Sequence, residues 1–207
     1  MHNQINDTLE LEITSKCVLQ CPACARTNET DITEKSEWDI GHLDKDLLFE
    51  ICDNTNFKRY LLVGCYGDPI YHPDFLEICE YFLSKGKKIT VHTNGSAKPE
   101  KFWEQASQLN WAGCIFTFSV DGLEDTNHLY RINAKWNQVI TGMKYMTSIP
   151  NERRPNLQWK FLVFPYNKHQ IEQARQLSEE LGFNSFSPEE SFRNPAVYNT
   201  DNVSLYV

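Results

Sequence analysis

The chain has 207 residues, 41% of them hydrophobic and 23% charged, a composition typical of a globular domain long enough to bury a core. No apolar run approaches the roughly 20 residues of a membrane span, and the first ten residues lack the basic and apolar parts of a signal peptide, so we expect a cytoplasmic protein without a membrane partner. The net charge of −8 makes nucleic acid an unfavourable partner and favours peptides or small molecules as substrates.

The first predicted strand, from Leu9 to Thr14, ends just before three cysteines spaced C-x3-C-x2-C: Cys17, Cys21 and Cys24. Thiolates select zinc, copper(I) or iron–sulfur clusters. A structural zinc site is normally closed by a fourth ligand at regular spacing, and no second C-x2-C or H-x3-5-H pair follows. Three cysteines on a [4Fe–4S] cluster would leave one iron open to a small molecule, whereas the usual electron-transfer cluster takes four. Zinc closed by a histidine such as His128 stays an alternative at this point.

Strand and helix patterns alternate along the rest of the chain. After a predicted loop at 26–41, apolar residues recur at helical spacing in five segments, and short apolar runs bounded by turn residues lie between these segments. Predicted helices begin near 47, 75, 99, 136 and 171, and predicted strands cover 60–63, 88–92, 114–120, 157–164 and 183–186. The run 60–63 suits a strand buried on both faces. Cys52 and Cys79 lie on apolar helix faces, where cysteine is usually a small core residue.

This alternation predicts an α/β fold with parallel strands and helical crossovers. About six βα units are too few for the usual eight-fold barrel, so we predict an open, partial parallel β/α barrel over residues 1–188. Residues 189–207 form a polar tail. Either this tail caps the open barrel, or the chain is a natural or engineered truncation. In parallel α/β folds ligands gather at the carboxyl ends of the strands. The turns at 64–69, 93–95 and 119–122 fall at those ends, as does the cysteine loop.

The cysteine spacing and these turns resemble the radical S-adenosylmethionine (SAM) superfamily. The resemblance implies that Cys17, Cys21 and Cys24 hold a [4Fe–4S] cluster whose free iron is chelated by SAM. One electron from the cluster then cleaves SAM to methionine and a 5′-deoxyadenosyl radical, which abstracts a substrate hydrogen. We therefore expect an enzyme with two cofactors, the cluster and SAM.

The same resemblance assigns SAM contacts. Residues 64–69 are similar to the family's Gly-Gly-Glu-Pro motif, with Asp68 in the glutamate's place, where backbone and acid bind the SAM amino group. Arg131 resembles the arginine that pairs with the SAM carboxylate, a task suited to its planar fork of donors. Ala23 takes the position of an aromatic residue that mainly offers its backbone to adenine. The predicted contacts are Ala23, Tyr66, Gly67, Asp68, Asn94, Ser119, Arg131 and Val163.

The substrate and the catalytic residue are not identified by the sequence. Five side chains near the strand ends could donate protons or hydrogen atoms: Cys65, Tyr66, His72, His92 and His128. The resemblance favours a peptide over a small metabolite or nucleotide, and implies an electron donor such as flavodoxin or ferredoxin. Peptide-modifying relatives carry cysteine-rich C-terminal extensions, whereas no cysteine follows Cys114 here, so we expect one cluster. A non-catalytic zinc protein and a SAM-binding accessory subunit are the alternatives.

Overall fold

The computed structural model describes residues 7–28, 40–64 and 66–190, and within them six strands form one sheet in the order β1-β2-β3-β4-β5-β6. Every neighbouring pair is parallel, as helical crossovers require. The predicted open parallel α/β sheet is therefore confirmed. The strands are β1 (Thr8–Leu11), β2 (Arg59–Leu62), β3 (Lys88–Thr93), β4 (Ile115–Ser119), β5 (Asn156–Val163) and β6 (Ser185–Glu190).

The helices lie between the strands as crossovers. Asp44 begins the first long one by accepting hydrogen bonds from the backbone N–H groups of Asp46 and Leu47 at 2.8 and 3.3 Å. Gly182 ends the last one at φ +87°, a conformation that favours glycine. The described helices are α1 (Ala25–Asn28), α2 (Lys45–Asn54), α3 (Phe75–Ser84), α4 (Glu100–Ala106), α5 (Asn127–Tyr130), α6 (Trp136–Thr147) and α7 (Ile171–Leu181). None of them has the length and apolar character needed to cross a membrane.

One face of the sheet is apolar and packs against the helices. Alternate residues of β4 and β5, such as Phe116, Phe118, Trp159 and Phe161, are fully buried there in the main core. Helices α4 and α6 pack so closely that a Cβ on Gly142 would lie 2.5 Å from the Trp103 ring. The core therefore lies on the helical side of the sheet and fixes the orientation of every strand.

The other face is more polar. His92 on β3, Ser119 on β4 and Lys160 on β5 are partly or largely accessible there. This arrangement corrects the expectation that residues 60–63 are buried on both faces, because Tyr60 and Leu62 are buried whereas Leu61 and Val63 are only partly so. The inner face of the open sheet is thus available to a ligand.

Several elements differ from the sequence prediction. Helix α1 begins at Ala25 and continues into the predicted loop 26–41. Helix α5 lies in a region where no helix was predicted. Strand β6 begins two residues later than predicted and continues to Glu190, since its register on β5 runs from Gln158↔Ser185 to Val163↔Glu190. The predicted domain boundary at 188 therefore falls inside β6, and the division at that point stays a prediction. Residues 191–207 and Cys65 lie outside the described residues.

Candidate active site

A cavity of about 270 Å³ lies at the carboxyl edge of the sheet. Its walls come from the cysteine loop after β1 and from the ends of β2, β3, β4 and β5, as the parallel topology predicts. Nine of the residues predicted for the cluster and SAM line it together: Cys17, Cys21, Cys24, Tyr66, Gly67, Asp68, Asn94, Ser119 and Arg131. Segments up to 145 residues apart in sequence, from Cys17 to Leu162, thus meet at one site.

A small apolar cluster, separate from the main core, supports the cysteine loop. Leu19 and Cys21 pack there with Tyr130, Leu162 and Phe164. The backbone N–H of Gln20 also donates to the Ile132 carbonyl at 3.1 Å, and that of Cys24 to Cys21 at 3.0 Å. The loop is therefore held against the ends of β5 and α5, and its three cysteines line the cavity.

Cys17 is half-buried in this loop, whereas Cys21 is buried. Its sulfur accepts hydrogen bonds from the backbone N–H of Leu19 at 3.4 Å and from the side-chain amide of Asn94 at 3.5 Å. Burial, with the nearby Asp68 carboxylate, raises the pKa of the Cys17 thiol to about 12. A thiol with this pKa stays protonated at neutral pH until a metal displaces the proton.

The turn after β2 packs directly on the segment that leads into the cysteine loop. A Cβ on Gly67 would lie 1.8 Å from the Thr14 carbonyl oxygen, so only glycine fits. Glu12, which the sequence analysis did not identify, fixes the same turn by accepting from the N–H groups of Tyr66 and Gly67 at 2.7 and 3.0 Å. Glu12 lies within the predicted strand 9–14, and the sequence gave no signal of this role because its partners lie more than 50 residues away.

Asp68 is buried and its carboxylate is already occupied by protein donors. It accepts from the Ile70 N–H at 3.2 Å, the Thr93 hydroxyl at 2.9 Å and the Asn94 N–H at 2.7 Å, and from the Asn94 side-chain amide. Burial raises the pKa of Asp68 to about 6, although these donors oppose the shift. The hydrogen bonds of the Asp68 carboxylate therefore join the turns after β2 and β3. They occupy the oxygens that the SAM amino group would otherwise contact.

Arg131 is held by a second buried carboxylate. Its Nε donates to Asp121 Oδ2 at 2.6 Å, and Asp121 Oδ1 accepts from the Leu162 N–H at 2.8 Å. Burial opposes the charge on Arg131, but Asp121 and Cys21 outweigh it, so the pKa of the guanidinium is raised. Within the described residues its two Nη groups donate no hydrogen bond to the protein. The Arg131 guanidinium, which the sequence analysis assigned to the SAM carboxylate, is therefore charged and held in a fixed orientation.

Two predicted SAM contacts do not line the cavity. Val163 points into the main core, whereas its neighbour Leu162 forms part of the cavity wall. Ala23 packs against the small apolar cluster beneath the loop.

The proposed proton donors lie in different places. Tyr66 and His92 line the cavity, whereas His128 lines a separate one. His72 is buried, and its ring nitrogen Nε2 lies 2.8 Å from the Leu43 carbonyl oxygen. His92 has a pKa lowered by burial and by Lys160.

The donor set fits a cluster better than a single ion. Among the described residues, no three His, Cys, Asp or Glu side chains are close enough to hold one metal ion together. A cluster places each thiolate on a different iron and so needs three cysteines around one cavity, and Cys17, Cys21 and Cys24 line the same cavity. The zinc alternative with His128 is not supported, because His128 and the cysteines line different cavities.

Comparison with known proteins gives a family match over most of this region. The Radical SAM superfamily matches residues 11–153. Over 115 residues the chain is 28% identical to the tungsten-containing aldehyde ferredoxin oxidoreductase cofactor-modifying protein of Pyrococcus furiosus, covering 54% of this chain and 30% of that protein.

Solved structures share the fold. Histidine-tagged anSMEcpe with bound AdoMet (SAM) superposes with a TM-score of 0.64 at 16% identity, over 88% of this chain and 50% of that one. Streptococcus suis SuiB gives 0.63 at 16% identity, over 93% and 41%. The anSMEcpe protein has also been solved with AdoMet and the Cp18Cys peptide. This chain spans half or less of the length of each of these relatives.

Proposed function

Because the chain belongs to the radical SAM superfamily, we propose that it is an enzyme that binds a [4Fe–4S] cluster through Cys17, Cys21 and Cys24 and cleaves SAM reductively. The observation that carries the proposal is the meeting of three thiols with the ends of four strands at one cavity. When bound, the cluster and SAM supply a one-electron cleavage that gives methionine and a 5′-deoxyadenosyl radical, which then removes a hydrogen atom from the substrate.

The protein's own part is orientation. Arg131 is fixed by Asp121 through Nε, and its two Nη groups, which donate no hydrogen bond to the described part of the chain, are placed to bind an anionic group such as the SAM carboxylate. Gly67 brings the backbone of the turn after β2 to the cavity, and Ser119 offers a hydroxyl at the end of β4. Leu162 supplies an apolar wall on which adenine can rest, in the place assigned to Val163 from the sequence.

For the substrate we propose a peptide. The net charge of −8 disfavours nucleic acid, and the similar protein anSMEcpe has been solved with a peptide bound. The second candidate is a small-molecule cofactor precursor, which the cofactor-modifying relative favours. The reductant would be an electron-transfer protein such as flavodoxin or ferredoxin. If the chain is instead an accessory subunit whose partner provides the substrate site, the isolated chain should be inactive and should become active when that partner is added.

The test is anaerobic reconstitution with iron and sulfide, followed by reduction with dithionite in the presence of SAM and chromatography for 5′-deoxyadenosine. Wild-type protein should be brown and release the nucleoside, and Cys21→Ala should do neither. Cys52→Ala is the matched control, since Cys52 is also a buried cysteine but lies on α2, where its side chain packs in the main core. A colourless wild-type protein that forms no 5′-deoxyadenosine would disprove the proposal.

A substrate screen distinguishes the two candidates. Peptides and metabolites below about 1 kDa, separated from one cell extract, would be added in turn to the reduced enzyme. Faster 5′-deoxyadenosine formation with the peptide fraction would support the peptide proposal. Acceleration by the metabolite fraction alone would support a cofactor precursor.

A further inference from the structure

Asn94 stands between the buried carboxylate of Asp68 and the sulfur of Cys17. Its side-chain amide Nδ2 donates to Asp68 Oδ2 and lies 3.5 Å from Cys17 Sγ. Asn94 and Asp68 are only 6% and 4% exposed. The donor side of the contact is therefore removed from water while Cys17 itself is half-buried, and a hydrogen bond at such a site has a stronger electrostatic effect than one at a surface.

The orientation of the Asn94 amide follows from its partners. The side-chain oxygen Oδ1 accepts from the Ser96 N–H at 2.9 Å, and the backbone N–H of Asn94 donates to Asp68 Oδ2 at 2.7 Å. An amide nitrogen carries two hydrogens. With one directed to the Asp68 carboxylate, the second is directed to the sulfur, and turning the amide over would place an oxygen against a carboxylate and a nitrogen against an N–H group.

We propose that Asn94 is a positioning residue whose amide donates an N–H···S hydrogen bond to Cys17 and thereby raises the reduction potential of the cluster that Cys17 holds. This inference rests on the proposed function. Reduction adds one electron, taken from dithionite or an electron-transfer protein, and so increases the negative charge on the cluster and its thiolates. Hydrogen bonds to the sulfurs stabilise that charge and are among the factors that set cluster potentials.

Asp68 has the supporting role in this proposal. Its carboxylate holds Asn94 by both the backbone and the side-chain nitrogen, so the amide cannot rotate away from the sulfur. The Leu19 N–H provides a second donor to the same sulfur from within the loop. Loss of Asn94 therefore removes one of two donors to Cys17 and leaves the other in place.

The experiment is a redox titration of the reconstituted protein, without SAM, followed by the electron paramagnetic resonance signal of the reduced cluster. Asn94→Ala removes the donor, and we expect it to disfavour reduction by about tenfold, which is 59 mV for a one-electron couple. Asn94→Asp keeps an oxygen for the Ser96 N–H but places a second carboxylate near the sulfur. Its potential should be lower still, so the order is wild type, then Asn94→Ala, then Asn94→Asp.

Thr93→Val is the matched control. It removes a hydrogen bond to the same Asp68 carboxylate, whereas the hydrogen bonds to the sulfur come from Leu19 and Asn94, so its potential should equal that of wild type. Equal potentials in the two Asn94 variants and wild type would overturn the inference, as would an equal shift in Thr93→Val. If Asn94→Ala does not load iron, Asn94→Asp still provides the comparison. Failure of the proposed function is distinct, because wild-type protein would then show no cluster signal.

Discussion

Arg131 and Asp121 form a buried ion pair at the base of the candidate site, with 2.6 Å between Arg131 Nε and Asp121 Oδ2. The Asp121 side chain is fully buried and the Arg131 side chain is 16% exposed. Asp121 also accepts the Leu162 N–H, and its backbone is fixed by Asn127 and Asn167. The pair therefore joins the end of β4, the end of β5 and the segment after α5 in one network.

Asp121→Ala should lower the free energy of unfolding by about 3–5 kcal/mol, because removing one partner of a buried pair leaves an uncompensated charge. The Leu162 N–H would lose its acceptor as well. Urea denaturation of the metal-free protein measures the change. Asp7→Ala is the control, since the Lys58–Asp7 pair at 2.8 Å is largely exposed and its loss should fall within the error of the measurement. Equal effects of the two substitutions would contradict the structure.

Gly67→Ala should disrupt the packing of the turn after β2 against the segment that leads into the cysteine loop. The added Cβ would lie 1.8 Å from the Thr14 carbonyl oxygen and 3.1 Å from the Lys16 N–H nitrogen, and both are backbone atoms that cannot move aside without displacing the loop. We expect a lower iron content after reconstitution together with a lower midpoint in urea.

Gly86→Ala is the comparison for Gly67→Ala. Gly86 has φ +72° with nothing within 4 Å of the added Cβ, so this substitution brings only the cost of a left-handed backbone, about 1 kcal/mol. Its iron content should equal that of wild type. If Gly67→Ala loads iron as well as Gly86→Ala does, the close packing of the turn on the loop is not required.

The sheet could be predicted from the sequence because the apolar patterns that form strands and helices are local. The site residues at the strand ends could be located for the same reason, since parallel strands bring their carboxyl ends to one edge. The hydrogen bonds of Asp68, Asp121 and Glu12 could not, because their partners come from segments brought together only by the tertiary fold. Asp68 could be recognised as a site residue, but its saturation by donors from the turn after β3 has no sequence signal.

The placement of Val163 shows a different limit. Side chains alternate between faces along a strand, so an error of one residue exchanges the core for the cavity. The alternation along β5 indicates which side chains face the core. Trp159, Phe161 and Val163 lie on the apolar face. Gln158, Lys160 and Leu162 lie on the opposite face. Using that alternation, rather than the position of a family motif, would have identified Leu162 as the cavity residue.

Asp68 should make the metal-free protein less stable as the pH rises from about 4 to about 6. Its pKa in the folded protein is about 6, against about 3.9 in an unfolded chain. Between these values the native state binds more protons than the unfolded state, so this stability is fully present below about pH 4 and is lost as the pH rises through about 6. Two pKa units correspond to about 3 kcal/mol.

Asp68→Asn isolates this contribution, since the amide does not titrate. The difference in unfolding free energy between wild type and Asp68→Asn, measured in urea at several pH values, should shift by about 2 kcal/mol against wild type between pH 4 and pH 7. A difference that is constant, or that moves in favour of wild type, would mean that the donors around Asp68 outweigh its burial.

Lys160 should hold His92 in its neutral form at the wall of the cavity. Burial and the Lys160 charge both lower the pKa of His92, and Lys160 is in turn paired with Glu189 at 2.7 Å. Lys160→Met should therefore raise the pKa of His92 toward, but not to, its ordinary value, because burial remains. Glu189→Gln should lower it further, since the lysine charge is then uncompensated. Nuclear magnetic resonance titration of the His92 ring protons measures the pKa of His92 in both variants. If the two substitutions shifted this pKa in the same direction, Lys160 would not control the proton on His92.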